Sequence, residues 1–432
     1  MVSLGKWSLA KKRREHKAGI LGVTFFTVFL CLVIGGLGTM AQGAEKGPIK
    51  IGFISPHTGN FAQMGLDMVD GFKMYLDEIN YTVAGRKVEL IVEDEGEIPA
   101  TAVTKMRKLA THDKVHLVAG VFLTAAVYAV APVAVEAQTP LIITLSAGDD
   151  LTQRKRSKYV MRVSFTGAQL GHVAADYCYK KLGWRKAVTL GMDYGWGHEN
   201  VGAFQRTFEE MGGKVIQKVW TPMVTADYGP YAASLKRDAD GIFEVVTGAA
   251  SIRLLKTLRS SGLMNKWKVM APGTATDESL LPALADDGVG VYTVFNYSAA
   301  LKNPENIKFN EKVLKVIKRA PTLGMAHSYT GADWIIRAIQ AVKGDVENKD
   351  KFIEAVRAIE IPNSLRGPLK LDKYGQVVQN IYIRQVEKVG KAYQNTVVET
   401  YPMASQFWTY DPETFLKSPV YSRDYPPCKF CQ

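Results

Sequence analysis

The chain has 432 residues, 47% of them hydrophobic, and a formal net charge of +12. That is more apolar material than one core usually holds, so two domains are expected. The basic residues are dispersed, without the aromatic-interleaved stripe of a nucleic-acid binder, and a nucleic-acid partner is excluded.

The chain opens on a basic head of Lys6, Lys11, Lys12, Arg13, Arg14 and Lys17, with Glu15 as its one acid. An apolar run from Ala18 to Gly38 follows, and small residues close it around Thr39–Ala44. This is the order of a secretory signal peptide over residues 1–43, and it places the rest of the protein in the periplasm. A run of about 20 apolar residues could also span a bilayer, and the alternative to cleavage is its retention as a membrane anchor. Cys31 stands behind Leu30 and not behind a small residue, so lipid attachment is not expected. Cleavage would remove six basic residues and one acid, leaving a mildly basic +7. No second apolar stretch of that length occurs, and the mature chain reads as soluble.

From Pro48 short apolar strands alternate with amphipathic helices. Lys50–Ile54 is a strand, Leu66–Asn80 a helix with Met68, Phe72, Tyr75, Leu76 and Ile79 on one face, and Lys87–Glu93 a strand. Helix Ala100–Thr111, strand Val115–Gly120, helix Ala125–Ala137 and strand Pro140–Thr144 continue the series. Such alternation of periods 2 and 3.6 means βαβ units on a parallel sheet, with a ligand crevice at the carboxyl ends of the strands. A second series follows Tyr159–Arg162: helix Ala168–Leu182, strand Lys186–Met192, helix Glu199–Met211, strand Lys214–Trp220, helix Tyr228–Asp238, strand Gly241–Val246, helix Ser251–Ser261 and strand Trp267–Ala271. After Val289–Phe295 come helices Asn306–Lys318, Thr330–Val342 and Lys349–Ile359, then hairpin strands Leu369–Asp372 and Val377–Val386. Cys428 and Cys431, behind Pro426-Pro427, are read as a small structural disulfide loop, not a redox or zinc site.

Enzyme signatures fail one by one. The seven histidines are scattered, no G-x-S-x-G elbow or P-loop lysine occurs, and Gly191–Gly197 lacks dinucleotide spacing. No catalytic residue, cofactor or metal site is assigned. The acidic run Glu93–Glu97 could hold a cation, although a solvated strand end is the commoner use of such a run. What remains is a set of strand-to-helix loops rich in small, hydroxyl and aromatic residues: Ser55–Gly59, Phe122–Ala126, Leu145–Gly148, Tyr194–Gly197 and Thr247–Ala249. Free helix N–H groups beside hydroxyls suit a carboxylate, and aromatic rings suit an apolar body.

Taken in order, several short motifs carry a resemblance: Ile49–Gly52, then Thr58-Gly59 with Ala62 and Gly65; Asp94 with Pro99; Val118–Gly120; Thr139–Ile142; Arg162; Asp193–Gly197; Gly262-Leu263; and Arg366–Leu369 with Asp372 and Gly375. In these the chain resembles the leucine/isoleucine/valine-binding branch of type I periplasmic solute-binding proteins, over about Pro48 to Ile383. The resemblance implies an α/β fold of two doubly wound lobes joined by three hinge crossovers, near Val163–Thr166, Thr293–Tyr297 and Leu365–Leu369. Residues 44–164 and 297–366 would form the N-terminal lobe, 165–296 and 367–405 the C-terminal lobe, and 406–432 an extension beyond the usual family end. The lobes would close on a small ligand and present it to an ABC permease in the inner membrane. Ligand-binding residues are expected at Met64, Phe122, Leu123, Thr124, Ser146, Ala147, Gly148, Tyr194, Trp196, Thr247, Gly273 and Phe295, with Thr124 on the ligand carboxylate. Amino-acid binders of the branch place a glutamate in the loop after the strand matching Lys268–Ala271. Here that loop reads Pro272-Gly273-Thr274, with no acid before Asp277. A carboxylate without an amine, an aromatic acid above all, is therefore favoured over a branched-chain amino acid. A periplasmic sensor feeding a membrane receptor is the alternative of another class.

Overall fold

The computed structural model describes residues 46–431, so the signal-peptide reading of residues 1–43 lies outside the described residues. Two sheets organise the rest. The first is formed by β1 (Ile49–Ser55), β2 (Thr82–Val83), β3 (Arg86–Asp94), β4 (Leu117–Gly120), β5 (Leu141–Ile143) and β6 (Val160–Arg162) in the order β2-β3-β1-β4-β5-β6. All its pairings are parallel except the β2–β3 hairpin. The second holds β7 (Lys186–Met192), β8 (Lys214–Thr221), β9 (Gly241–Val245), β10 (Lys268–Pro272) and β11 (Tyr292–Phe295), in parallel order β8-β7-β9-β10-β11. Antiparallel strands extend it beyond β11: β12 (Glu360–Ile361), β13 (Leu369–Leu371), β14 (Val377–Val389) and β15 (Ala392–Ala404). In each sheet the five parallel strands run 2-1-3-4-5, the doubly wound arrangement that opens a crevice where strand order reverses.

Hydrophobic periodicity explains most of these elements. β4 and β5 are wholly buried and read as continuous apolar runs, as central parallel strands do. Helix Ala62–Glu78 packs against helix Leu323–Ala341 so closely that a Cβ on Gly71 would stand 2.2 Å from the Met325 carbonyl oxygen. Helix Leu323–Ala341 starts a full two turns earlier than the Thr330 expected from sequence. Thr322 caps it, accepting from the Met325 N–H. Helix Gly229–Ser234 ends short of the expected Asp238 because the Lys236 N–H leaves the helix to donate to Gln217 Oε1 at 2.8 Å. The chain enters the second sheet at β12, ahead of the Leu365–Leu369 crossover read from the sequence. Strand β15 was not foreseen. It is an edge strand with one mixed face and Pro402 near its end, so its alternation is blurred by polar residues such as Gln394, Asn395 and Thr396, and its proline argues against a strand interior.

The terminal Cys428–Cys431 pair is disulfide-bonded, as expected from its position, and Cys178 is a buried free thiol. Among the described residues no helix is long and apolar enough to cross a membrane.

Helix Gly167–Lys180 carries His172, fully buried, with Nδ1 2.7 Å from Thr207 Oγ1 and its ring against Tyr410, Phe415 and Tyr421. Burial, aided by the Arg206 charge, pulls its pKa down to about 3. The folded ring is therefore neutral where the unfolded ring takes a proton. Its contribution to stability is full above the unfolded value near 6.5 and is lost as pH falls through that value toward 3. At about 1.36 kcal/mol per unit this amounts to at most about 5 kcal/mol. Urea unfolding at pH 7 and pH 4 should show a smaller loss in His172→Gln than in the parent. Equal losses would remove His172 from the acid limb.

Candidate functional site

The carboxyl ends of both sets of parallel strands meet at one cavity. Phe122, Leu123 and Thr124 follow β4, and Leu145, Ser146 and Ala147 follow β5. Opposite them stand Tyr194 and Trp196 after β7, Thr247 after β9, Thr274 after β10, and Phe165 from the first crossover. The space between them is about 20 Å³. That is room for about one water, far below the ~150 Å³ that takes a benzene ring, so the lobes stand closed. Beside it Asn60 and Phe61 meet Met223, Val224 and Arg253 across a gap of about 10 Å³.

The first wall is held from beneath. Glu95, fully buried, accepts the Phe122 N–H at 2.7 Å and the Leu123 N–H at 2.8 Å, and burial pushes its carboxyl up to about 8. The other acids of that run are also engaged. Asp94 accepts from the His57 N–H and Thr58 Oγ1, Glu93 pairs with Lys105 and Lys108, and Glu97 accepts from Asn60. A cation site at this run is therefore not what the side chains build. Thr124 opens helix Thr124–Glu136, one residue ahead of the expected start, so its hydroxyl stands at the free N–H end of the helix.

The second wall rests on glycine. A Cβ on Gly197 would lie 2.0 Å from the Met192 carbonyl oxygen, so only glycine lets helix Gly195–Glu210 start directly after β7. Trp196 therefore sits in the first helical turn, not in the loop read from sequence. Its ring meets Phe165 edge-on at 5.7 Å, and Phe165 in turn packs on Phe295 at 4.8 Å. The Trp196 Nε1–H and the Ser146 hydroxyl are buried without a hydrogen-bond partner among the described residues. Thr247 and Thr274 share a hydroxyl contact of 3.1 Å.

Of the twelve residues expected from sequence, eight line the cavity: Phe122, Leu123, Thr124, Ser146, Ala147, Tyr194, Trp196 and Thr247. Four stand elsewhere. Met64 packs against Gly324, where a Cβ would come 3.0 Å from its sulfur. Gly148, at φ 91°, turns its N–H to Glu199 and its carbonyl to Arg162. Gly273 is pressed against Phe295 with its carbonyl on Arg384 Nη2 at 3.1 Å. Phe295 lies behind Phe165, with the Arg384 guanidinium 5.8 Å from its ring. Leu145, Phe165 and Thr274 were missed. Phe165 carried a signal, being the one aromatic of the first expected crossover, and Thr274 is the neighbour of the glycine chosen in its loop.

Among the described residues no acidic side chain lines the cavity. The acids that could have supplied a negative charge are not among its lining residues. Asp193 holds His198 and Arg423, Glu244 accepts the Val246 N–H through Oε2 while its Oε1 is buried without a partner among the described residues, and Asp277 accepts the Leu323 N–H and the Ser279 hydroxyl.

Comparison with known proteins gives the family and the fold. A family model described as periplasmic binding protein matches residues 48–391. The Leu/Ile/Val-binding protein homolog 6 of Brucella melitensis is 31% identical over 84% of this chain and 93% of its own. An ABC transporter substrate-binding protein from Sphaerobacter thermophilus superposes with a TM-score of 0.79 at 33% identity, over 82% of this chain and 98% of that one. A solute binding protein of an ABC transporter from Rhodopseudomonas palustris, in complex with 3,4-dihydroxy benzoic acid, gives a TM-score of 0.79 at 30% identity, over 84% and 99%.

Proposed function

The chain belongs to the periplasmic binding proteins, the substrate-binding components of ABC transporters, and from that premise we propose that its cleft takes a small aromatic carboxylate. The observation that carries this reading is the composition of the cavity wall: Phe122, Phe165, Tyr194 and Trp196 surround hydroxyls and an indole N–H, and no acid is among them. Thr124 at the helix N-terminus and the unpartnered donors of Ser146 and Trp196 suit an anionic oxygen. An amino acid would bury its ammonium with nothing to pair it, at several kcal/mol. The benzoate-type ligand of the Rhodopseudomonas protein supports the same class. The lobes turn about the crossovers near Val163–Thr166, Thr293–Tyr297 and Leu365–Leu369 and close on the ligand in the periplasm. They hand it, chemically unchanged, to an inner-membrane permease.

The name of the Brucella relative favours a second reading, a branched-chain amino acid. Thermal unfolding with benzoate, 4-hydroxybenzoate and leucine separates the two. An aromatic acid at 100 times its dissociation constant should add about 2.7 kcal/mol of stability, and leucine should add none. Tight leucine binding without aromatic-acid binding would restore the amino-acid reading.

A further inference from the structure

The segment after β15, residues 405–431, lies beyond the residues matched by the family. It is anchored on the lobe of the second sheet. A short helix, Pro412–Lys417, brings Phe415 together with Phe407, Tyr421, Ala168 and Ala203 in an apolar cluster of its own. Tyr421 covers Gly202, where a Cβ would come within 2.7 Å of the ring. Gln205 Nε2 and Lys218 Nζ donate to the carbonyls of Pro427 and Pro426, each at 2.9 Å, and Arg423 pairs with Asp193 at 2.6 Å.

The same segment also grips the other lobe. Arg154, in the connection from β5 to β6, donates through Nη2 to the Ser418 carbonyl at 2.5 Å and the Phe415 carbonyl at 3.3 Å. The Nη1 of that guanidinium donates to Asp150 Oδ1 at 2.9 Å. Next to it the Thr152 hydroxyl donates to Gln406 Oε1 at 3.1 Å, and Gln406 Nε2 returns to the Thr152 carbonyl at 3.3 Å. Behind these contacts Glu199, on the second-sheet lobe, accepts the Tyr128 hydroxyl at 2.7 Å and the Gly148 and Asp149 N–H groups at 3.1 Å. A groove of about 900 Å³ runs between helix Thr124–Glu136 and the start of helix Gly195–Glu210, and Val420 and Tyr421 of the segment form one of its walls.

We propose that residues 405–431 are a clasp that holds the two lobes closed. A rotation that opens the cleft carries the Ser418 carbonyl with the second lobe and Arg154 with the first, so these bonds exist only while the lobes are together. The consequence is a protein that favours its closed form before ligand arrives and releases ligand slowly, because each opening breaks charged hydrogen bonds. A two-state equilibrium moves only by the interactions that differ between its states, and the clasp is such a difference.

Spin labels at Ile98→Cys and Val224→Cys test this in the intact protein. Both positions are exposed, Ile98 after β3 of the first sheet and Val224 after β8 of the second, and among the described residues the native thiols are buried or disulfide-bonded. Without ligand, Arg154→Gln should raise the long-distance population relative to the parent by about tenfold, the scale of a charged hydrogen bond. Arg154→Lys, which keeps one donor for the carbonyls, should fall between. Arg423→Gln should leave the distances unchanged, because its partner Asp193 rides on the lobe that anchors the segment. An Arg154→Gln distribution like the parent's, or an equal shift in Arg423→Gln, would overturn the clasp. No ligand enters the measurement, so its outcome is independent of which acid the cleft takes.

Discussion

Replacing Arg162 with methionine should lower stability by about 3–5 kcal/mol, the cost of removing one member of a buried charge cluster. Arg162 is fully buried at the end of β6. Its guanidinium donates to Gln376 Oε1 at 2.6 Å, Thr152 Oγ1 at 2.6 Å, the Gly148 carbonyl at 2.9 Å and the Ala147 carbonyl. Asp149 and Glu199 lie beside it, and burial raises the pKa of both, Glu199 well above its ordinary value. The guanidinium works against that rise for each acid. Asp149 in turn accepts the Gly167 and Ala168 N–H groups at the start of a second-lobe helix, at 2.7 and 3.0 Å. Without the arginine two acids would share a buried space without its positive charge, and four acceptors would each lose one hydrogen bond. Urea unfolding should show a lower midpoint with an unchanged slope. Arg162→Lys, which keeps the charge but not the fork, should fall between. A loss below about 1 kcal/mol for methionine would mean that the cluster carries no net charge worth balancing.

Arg162 also shows what a sequence can and cannot reveal. Its place before the first crossover was legible, and so were both parallel sheets, because apolar strands and amphipathic helices differ in period. Contacts distant in sequence were not legible. The partners of Arg162 include Gln376, 214 positions away, and no local pattern announces such a pair. The site behaved the same way. Loops that follow parallel strands must converge on the carboxyl edge, and eight residues taken from them do line the cavity. The misses arose one residue off or one layer deep. Gly148 adopts a left-handed turn that points its backbone away, and Phe295 stands behind Phe165, whose ring packs on it at 4.8 Å and takes the place at the cavity wall. Strand β15 and the segment beyond it escaped because an edge strand and a strap packed on a finished lobe obey no strict alternation.

Trp196→Ala should weaken binding of a benzoate-type acid by roughly 30- to 1,600-fold. Two contributions add. A well-placed aromatic neighbour gives about 0.5–1.5 kcal/mol beyond burial, and a hydrogen bond to a charged oxygen gives about 1.5–3 kcal/mol. At about 1.4 kcal/mol per tenfold, their sum spans the range expected. Both depend on placement, which the backbone supplies: Gly197 lets the helix begin against Met192, and Phe165 meets the indole ring at 5.7 Å. Trp196→Phe separates the two contributions, because it keeps a ring and removes the N–H that has no partner among the described residues. It should lose about tenfold or more while melting close to the parent, whereas alanine also leaves a cavity and melts lower. Calorimetric titration of both variants with 4-hydroxybenzoate measures this. If phenylalanine binds as tightly as tryptophan, the indole N–H does not touch the ligand and the ring alone acts. If alanine also binds as tightly, Trp196 is not in the ligand's wall at all, and the aromatic-acid reading loses the residue on which its selectivity rests.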